Sequence, residues 1–156
     1  DAHCLRVQHR RNEETVRHRL RLGAPRVGVL LIHLREHRLA RLGDERVEED
    51  EALVIEASPP PCDHWNFQLN NHWMESLDYR FHRIHLNSAI AATRPDGSIR
   101  LIVAHTDPGL PNWIETVGHR FGTMCFRWVR PSLPDGIEPP VPSCRVVKHA
   151  ELGSLL

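Results

Sequence analysis

From about residue 51 onward the sequence predicts an all-β fold, a jelly-roll-like β-sandwich, preceded over residues 1–50 by a short, weakly helical or disordered segment. Three observations predict it. Short runs rich in β-branched and aromatic residues recur after residue 51, divided by Pro, Gly and Asp turn signals. No helical pattern intervenes between them. The residue vocabulary also changes near residue 50. Residues 1–50 contain no Phe, Tyr, Trp, Lys, Ser or Met but hold eleven arginines and five histidines, whereas eleven of the twelve prolines lie downstream.

Within residues 1–50, Asn12-Glu13-Glu14 predicts a helix start, with Asn12 as N-cap and acids in the first turn; Val16, Leu20 and Leu22 follow. Gly23-Ala24-Pro25 breaks that pattern. A second candidate helix runs from about Val27 to Leu42, with Leu30, Leu31, Leu34 and Leu42 near one face, and ends at Gly43. The acid-rich run from Asp44 to Glu51 reads as solvated. This vocabulary suits a partly disordered lead-in better than a basic arm for an acidic partner. It also suits a GC-rich gene read in a wrong frame, which comparison of the coding DNA in all frames tests. The expected organisation is therefore a lead-in over 1–50 and a sandwich over 51–156.

In the second part, Ala52 to Ala57 reads as a strand closed by Pro59-Pro60-Pro61. Trp65 to Leu69 alternates, placing Trp65, Phe67 and Leu69 on one face and Asn66 and Gln68 on the other. Arg83 to Thr93 reads as an extended run ended by Arg94-Pro95-Asp96-Gly97, and Ile99 to His105 as its return strand across an Asp-Gly hairpin. Asp107-Pro108-Gly109 is a turn, and a loop runs on through Asn112-Trp113. Thr123 to Val129 is a strand with Met124, Phe126 and Trp128 on one face. Pro131 to Pro142 is a proline-rich loop, and Cys144 to Lys148 a last short strand. About seven short strands at this spacing argue for a sandwich or jelly roll. Trp65, Phe67, Leu69, Leu101, Val103, Met124, Phe126 and Trp128 are the expected core.

Composition limits the functional classes. The formal net charge is zero, whereas a nucleic-acid footprint needs a basic excess, so no nucleic-acid partner is expected. The best apolar run, Val27 to Leu34, contains His33 and lies between Arg26 and Arg35, too short for a membrane span. Cys4, Cys62, Cys125 and Cys144 form no C-x-x-C pair, which argues against a thiolate zinc site and favours reduced thiols. Nothing in the composition settles the compartment.

The stretch Trp65-Asn66-Phe67-Gln68-Leu69-Asn70-Asn71-His72-Trp73, then Asp96-Gly97-Ser98, then Asp107-Pro108-Gly109-Leu110-Pro111-Asn112-Trp113, then Gly118-His119-Arg120, Gly122 and Arg127-Trp128, resembles the C-terminal domain of domain of unknown function family 1214. The match runs from about Glu51 to Leu152, and the elements are specific in their order rather than singly. The resemblance implies a jelly-roll-like sandwich and supplies no catalytic mechanism. Members carry a long additional N-terminal region that residues 1–50 do not resemble, so the chain is expected to be a fragment of a longer protein.

The polar residues expected to line a ligand site are His85, Asn87, His105, Asp107, Asn112, Trp113, His119 and Arg127. The His105–Trp113 loop and the Gly118–Arg120 turn gather most of them, and sandwich loops converge at the sheet ends. His105, Asp107 and His119 are also the residues a divalent metal would take, although their spacing matches no metal motif. Asn112 and Trp113 read first as a loop cap and an end plug, and second as a platform for a ring. Arg127 needs a partner such as Asp107 or Glu115, or clamps a carboxylate or phosphate. The serines lack the G-x-S-x-G elbow, and nothing fixes the separation of Glu75 and Asp78. The leading expectation is a ligand-binding or assembly module with no cofactor, binding a small molecule, with self-association through exposed apolar surface as a further option. The alternative is a metal-assisted hydrolase using the His/Asp set.

Overall fold

The computed structural model describes residues 17–19, 27–33, 47–134 and 140–155. These residues are almost entirely strand and turn. The elements are β1 (Arg17–Arg19), β2 (Val27–His33), β3 (Glu51–Ala57), β4 (His64–Asn70), β5 (His85–Asn87), β6 (Ile99–Ala104), β7 (Trp113–Glu115), β8 (Thr123–Val129), β9 (Ser143–Lys148) and a one-turn helix α1 (His149–Leu152). Two sheets form, one ordered β1-β2-β8-β4-β5 and the other β7-β6-β3-β9. All pairings are antiparallel except β6 with β7, which is parallel.

Alternation builds the core. Trp65, Phe67 and Leu69 of β4, Leu86 of β5 and Met124, Phe126 and Trp128 of β8 project inward from the first sheet. Leu53 and Ile55 of β3, Leu101 and Val103 of β6 and Ile114 of β7 meet them from the second, in one buried cluster. All eight expected core residues belong to it. Phe126 is its centre, with ring centroids 5.5 Å from Trp65, 5.7 Å from Phe67 and 4.7 Å from Trp128.

The second sheet is covered on its outer face as well. Ala52, Val54, Ile102 and Ala104 cluster there with Leu152 of α1, and Leu110, Trp113 and Val147 pack against them. Burial on both faces explains why β3 and β6 read as near-continuous apolar runs rather than alternating ones. The outer face of β4 and β5 is instead polar, with His64, Asn66, Gln68, His85 and Asn87 on it and Arg127 of β8 beside Asn66.

Five expectations are corrected. Val27–His33, expected to start a helix, is strand β2, paired with β8 over seven residues from Val27↔Val129 to His33↔Thr123. Arg17–Arg19, inside the other candidate helix, is strand β1. A short apolar run does not distinguish a buried strand from a helix by periodicity, and here sheet pairing decides it. The remaining parts of both candidate helices lie outside the described residues. The sheet therefore draws on the segment that composition sets apart.

The extended run over Arg83 to Thr93 is strand only at His85–Asn87. Asn87 ends it, because its carbonyl accepts the amides of Ile90 (3.2 Å) and Ala91 (3.0 Å) while its side-chain oxygen accepts that of Ala89 (2.9 Å). The Asp96-Gly97 turn forms, with Gly97 at φ +81° and Arg94 N–H bonded to Ser98 O at 2.9 Å. It does not close a hairpin, since β5 pairs with β4 and β6 with β3. Finally, Trp113, read as the end of a loop, opens strand β7 (Trp113–Glu115).

Candidate functional site

The segment between β4 and β5 bridges the two sheets at one edge. The Ile84 carbonyl accepts Leu69 N–H of the first sheet at 2.9 Å, and the preceding carbonyl, Arg83, accepts Glu115 N–H of β7 at 2.8 Å. Successive carbonyls in an extended chain point in opposite directions, so one short segment serves both sheets. Downstream, Asn112 makes a second bridge. Its side-chain oxygen accepts Ala92 N–H at 2.7 Å, and its amide donates to Ala92 O at 2.7 Å and to Arg100 O at 2.9 Å. Asn112 sits at φ +60°, a conformation that Asn tolerates better than most residues.

Between these two bridges lies a depression of about 280 Å³, open to solvent, lined by Arg83, Leu86, Ile90, Ala92, Pro111 and Asn112. The lining is apolar apart from Arg83 and Asn112. Asn112 spends its side-chain hydrogen-bonding groups on the backbone, which leaves Arg83 as the group able to bind. No carboxylate among the described residues pairs with Arg83. Next to it in the chain, His82 donates through Nδ1 to Glu115 Oε2 at 3.0 Å. An imidazole oriented by a carboxylate is a proton acceptor in waiting as well as an ordinary half-exposed ion pair.

Of the eight residues expected to line a site, Asn112 alone reaches this cavity. His85, Asn87 and Arg127 share the outer face of the first sheet: Asn66 pairs in register with both Asn87 and Arg127, and Gln68 with both His85 and Cys125. Burial pushes the Cys125 thiol up, and the nearby Arg127 guanidinium partly opposes it.

His105 and His119 both meet Thr116. The His105 Nε2 faces Val47 O at 2.9 Å; a carbonyl only accepts, so Nε2 carries the proton and Nδ1 accepts from Thr116 Oγ1 at 2.7 Å. The His119 backbone N–H donates to Thr116 O at 3.0 Å, and its ring is exposed. Asp107 caps its own turn by accepting Gly109 N–H at 2.8 Å. Trp113 donates to Ala104 O at 3.2 Å and covers the outer face of the second sheet. Glu115, a suggested partner for Arg127, pairs with His82 instead. Among the described residues, no group of three His, Cys, Asp or Glu side chains is placed to hold a metal ion.

Sequence reasoning missed Arg83 and the His82–Glu115 pair. Spacing carries no signal for them, because the partners lie 33 residues apart and meet only through the edge bridge. Arg83 on its own resembles any exposed strand-end arginine.

No family model and no curated protein matches this chain. Among solved structures, an uncharacterized protein from Burkholderia cenocepacia is similar, at 43% identity and a TM-score of 0.67 over 82% of this chain and 31% of that one. The VPA0106 protein from Vibrio parahaemolyticus shares the fold, at 14% identity and a TM-score of 0.53 over 69% of this chain and 28% of that one. The chain thus spans less than a third of the length of either.

Proposed function

We propose that this chain is a ligand-binding β-sandwich domain of a longer protein, related to the C-terminal domain of domain of unknown function family 1214, and that its ligand is a small organic carboxylate. One observation carries the reading: an arginine with no carboxylate partner among the described residues lines a cavity that is otherwise apolar or spent on backbone hydrogen bonds. A guanidinium takes a carboxylate through two parallel hydrogen bonds, and Leu86, Ile90 and Pro111 offer contact for a short apolar tail. At about 280 Å³ the cavity lies at the lower limit for drug-sized ligands, which favours a ligand the size of a single ring. Membership in a longer protein is supported by the partial coverage of the Burkholderia protein, and kinship to the family by the ordered set of motifs around Trp65, Asp96, Asn112 and Arg127. No observation favours the metal-assisted hydrolase, since both ring nitrogens of His105 are engaged and Asp107 closes its own turn.

Benzoate and its neutral isostere benzamide test the reading on the full 156-residue chain. Benzoate should raise the melting temperature, because a ligand of the native state alone stabilises it. Benzamide should not, and Arg83→Gln should abolish the benzoate effect without changing the unliganded melt. Equal shifts with both probes, or no calorimetric binding of benzoate up to about 10 mM, would overturn it.

A further inference from the structure

We propose that Ser88 and His64 form a nucleophile–base pair for acyl transfer, whose substrate is a short carboxylic ester carrying a second, anionic carboxylate on its acyl chain. Neither residue lines the depression at Arg83, so the proposal is independent of the reading given for that site.

The end of β5 builds the pair. Ser88 Oγ lies 2.9 Å from His64 Nδ1. With the imidazole proton on Nε2, Nδ1 accepts from the hydroxyl, the arrangement by which a base activates a weak nucleophile. The β4–β5 ladder runs one residue past Asn87, where Ser88 N–H donates to Trp65 O at 3.0 Å, and this brings Ser88 beside His64. The chain then turns at once, because Asn87 accepts the amides of Ala89, Ile90 and Ala91. Ser88 therefore sits at a sharp strand exit and is exposed. That gives its hydroxyl the access that a nucleophile elbow supplies in other folds.

Uncommitted donors flank the pair. The backbone amides of Ser88 and Ala89 are spent on Trp65 O and Asn87 Oδ1, so side chains must meet a developing oxyanion. The bond that holds Asn87 Oδ1 also orients its amide nitrogen, which has no acceptor among the described residues. Asn66, two residues from His64 on the same face and in register with Asn87, makes no side-chain hydrogen bond among the described residues. Amide donors held in advance are what a tetrahedral acyl intermediate requires. Arg127 continues the row beyond Asn66, half-buried and with no carboxylate partner among the described residues. Two strand spacings, about 10 Å, separate Asn87 from Arg127. The arginine side chain and a short dicarboxylic acyl chain together span that gap, and the guanidinium takes the terminal carboxylate.

The chemistry closes without a further reagent. Ser88 Oγ bonds to the ester carbonyl carbon while its proton passes to His64 Nδ1. The carbon–oxygen bond to the alcohol then breaks, its electron pair stays on the alcohol oxygen, and that oxygen takes the proton from Nδ1. Water attacks the acyl-serine by the same route, releasing the acid and restoring the hydroxyl.

The test uses the full 156-residue chain. Diisopropyl fluorophosphate, followed by peptide mass mapping, should label Ser88 far faster than the exposed Ser98 of the same molecule. His64→Gln should slow that labelling about 100-fold, with an unchanged melt because His64 is part-exposed. The para-nitrophenyl monoester of glutarate should be hydrolysed with a kcat/KM about tenfold above para-nitrophenyl valerate, as one charge-assisted contact allows. Ser88→Ala should abolish both reactions, and Arg127→Gln should bring their ratio to about one. Labelling of Ser88 no faster than Ser98, or unaffected by His64→Gln, would overturn the nucleophile–base pair. Equal rates with the two esters in the wild-type chain, or a ratio that Arg127→Gln leaves intact, would overturn the substrate class.

Discussion

The carboxamide of Asn112 and the peptide of Ala92 face each other like paired strand residues, each donating to the other at 2.7 Å. This side chain closes the cavity wall and ties the segment after β5 to the loop before β7. Asn112→Ala removes three hydrogen bonds and leaves part-buried backbone groups without these partners, so a loss of about 1–3 kcal/mol is expected. Asn112→Asp should be worse, since it places an oxygen against the Ala92 and Arg100 carbonyls. Urea melts of the two variants give the order, and an aspartate variant as stable as wild type would rule out this geometry.

Gly122 admits no side chain. A Cβ there would collide with the Asn70 carbonyl, which is main chain and does not swing aside. Gly122→Ala should therefore destabilise by several kcal/mol or prevent folding, far beyond the ~1 kcal/mol of a glycine replacement in open backbone. Gly153, with nothing within 4 Å of its added Cβ, is the control, and Gly153→Ala should be nearly neutral. Equal effects at the two positions in thermal melts would contradict the close approach.

Phe126 touches three aromatic rings at the centre of the sandwich. Truncation to alanine should cost about 3–5 kcal/mol. Phe126→Leu, which refills part of the volume, should recover much of it. An unchanged midpoint for the alanine variant would mean that the ring is not in the core.

His105 acts as a tie rather than a ligand. It joins Val47 O to Thr116 and so holds the lead-in to β3 against the β7–β8 connection. His105→Ala should cost about 1–3 kcal/mol. Amide exchange at Val47, which bonds to Arg120 O, should accelerate more than exchange at Phe126. Uniform acceleration would show that His105 does not act locally.

Glu56 lies between Arg94 and Arg100, each with a nitrogen 2.9 Å from Oε1, and the two guanidiniums hold its carboxyl below the ordinary value of 4.5. As pH falls, the unfolded chain takes up the proton before the folded one does. The contribution is therefore full above about pH 4.5 and drains away as pH drops through the folded value. The group is part-exposed, so Glu56→Gln should cost only about 0.5–1 kcal/mol at pH 7. Its deficit relative to wild type should shrink on acidification. A deficit constant from pH 7 to pH 3 would refute the charge assignment.

The alternation of Trp65, Phe67 and Leu69 and of Met124, Phe126 and Trp128 determined, from sequence alone, which faces of β4 and β8 look inward, because a period of two admits one buried set. Turn chemistry placed the bend at Asp96-Gly97 but not the partners on either side of it, since local geometry carries no record of which sheet a strand joins. The same limit hid strand character at Val27–His33, where pairing with β8 outweighs a pattern that also suits a helix. The motif residues Asn112, Trp113 and His105 were legible as special, but their partners Ala92, Ala104 and Val47 lie 20, 9 and 58 residues away, so the structural work they do is decided only in three dimensions. Arg83 and the His82–Glu115 pair had no signature at all. They meet because consecutive carbonyls of one segment bind opposite sheets, and a side chain's neighbours across such a bridge are a property of the packed fold.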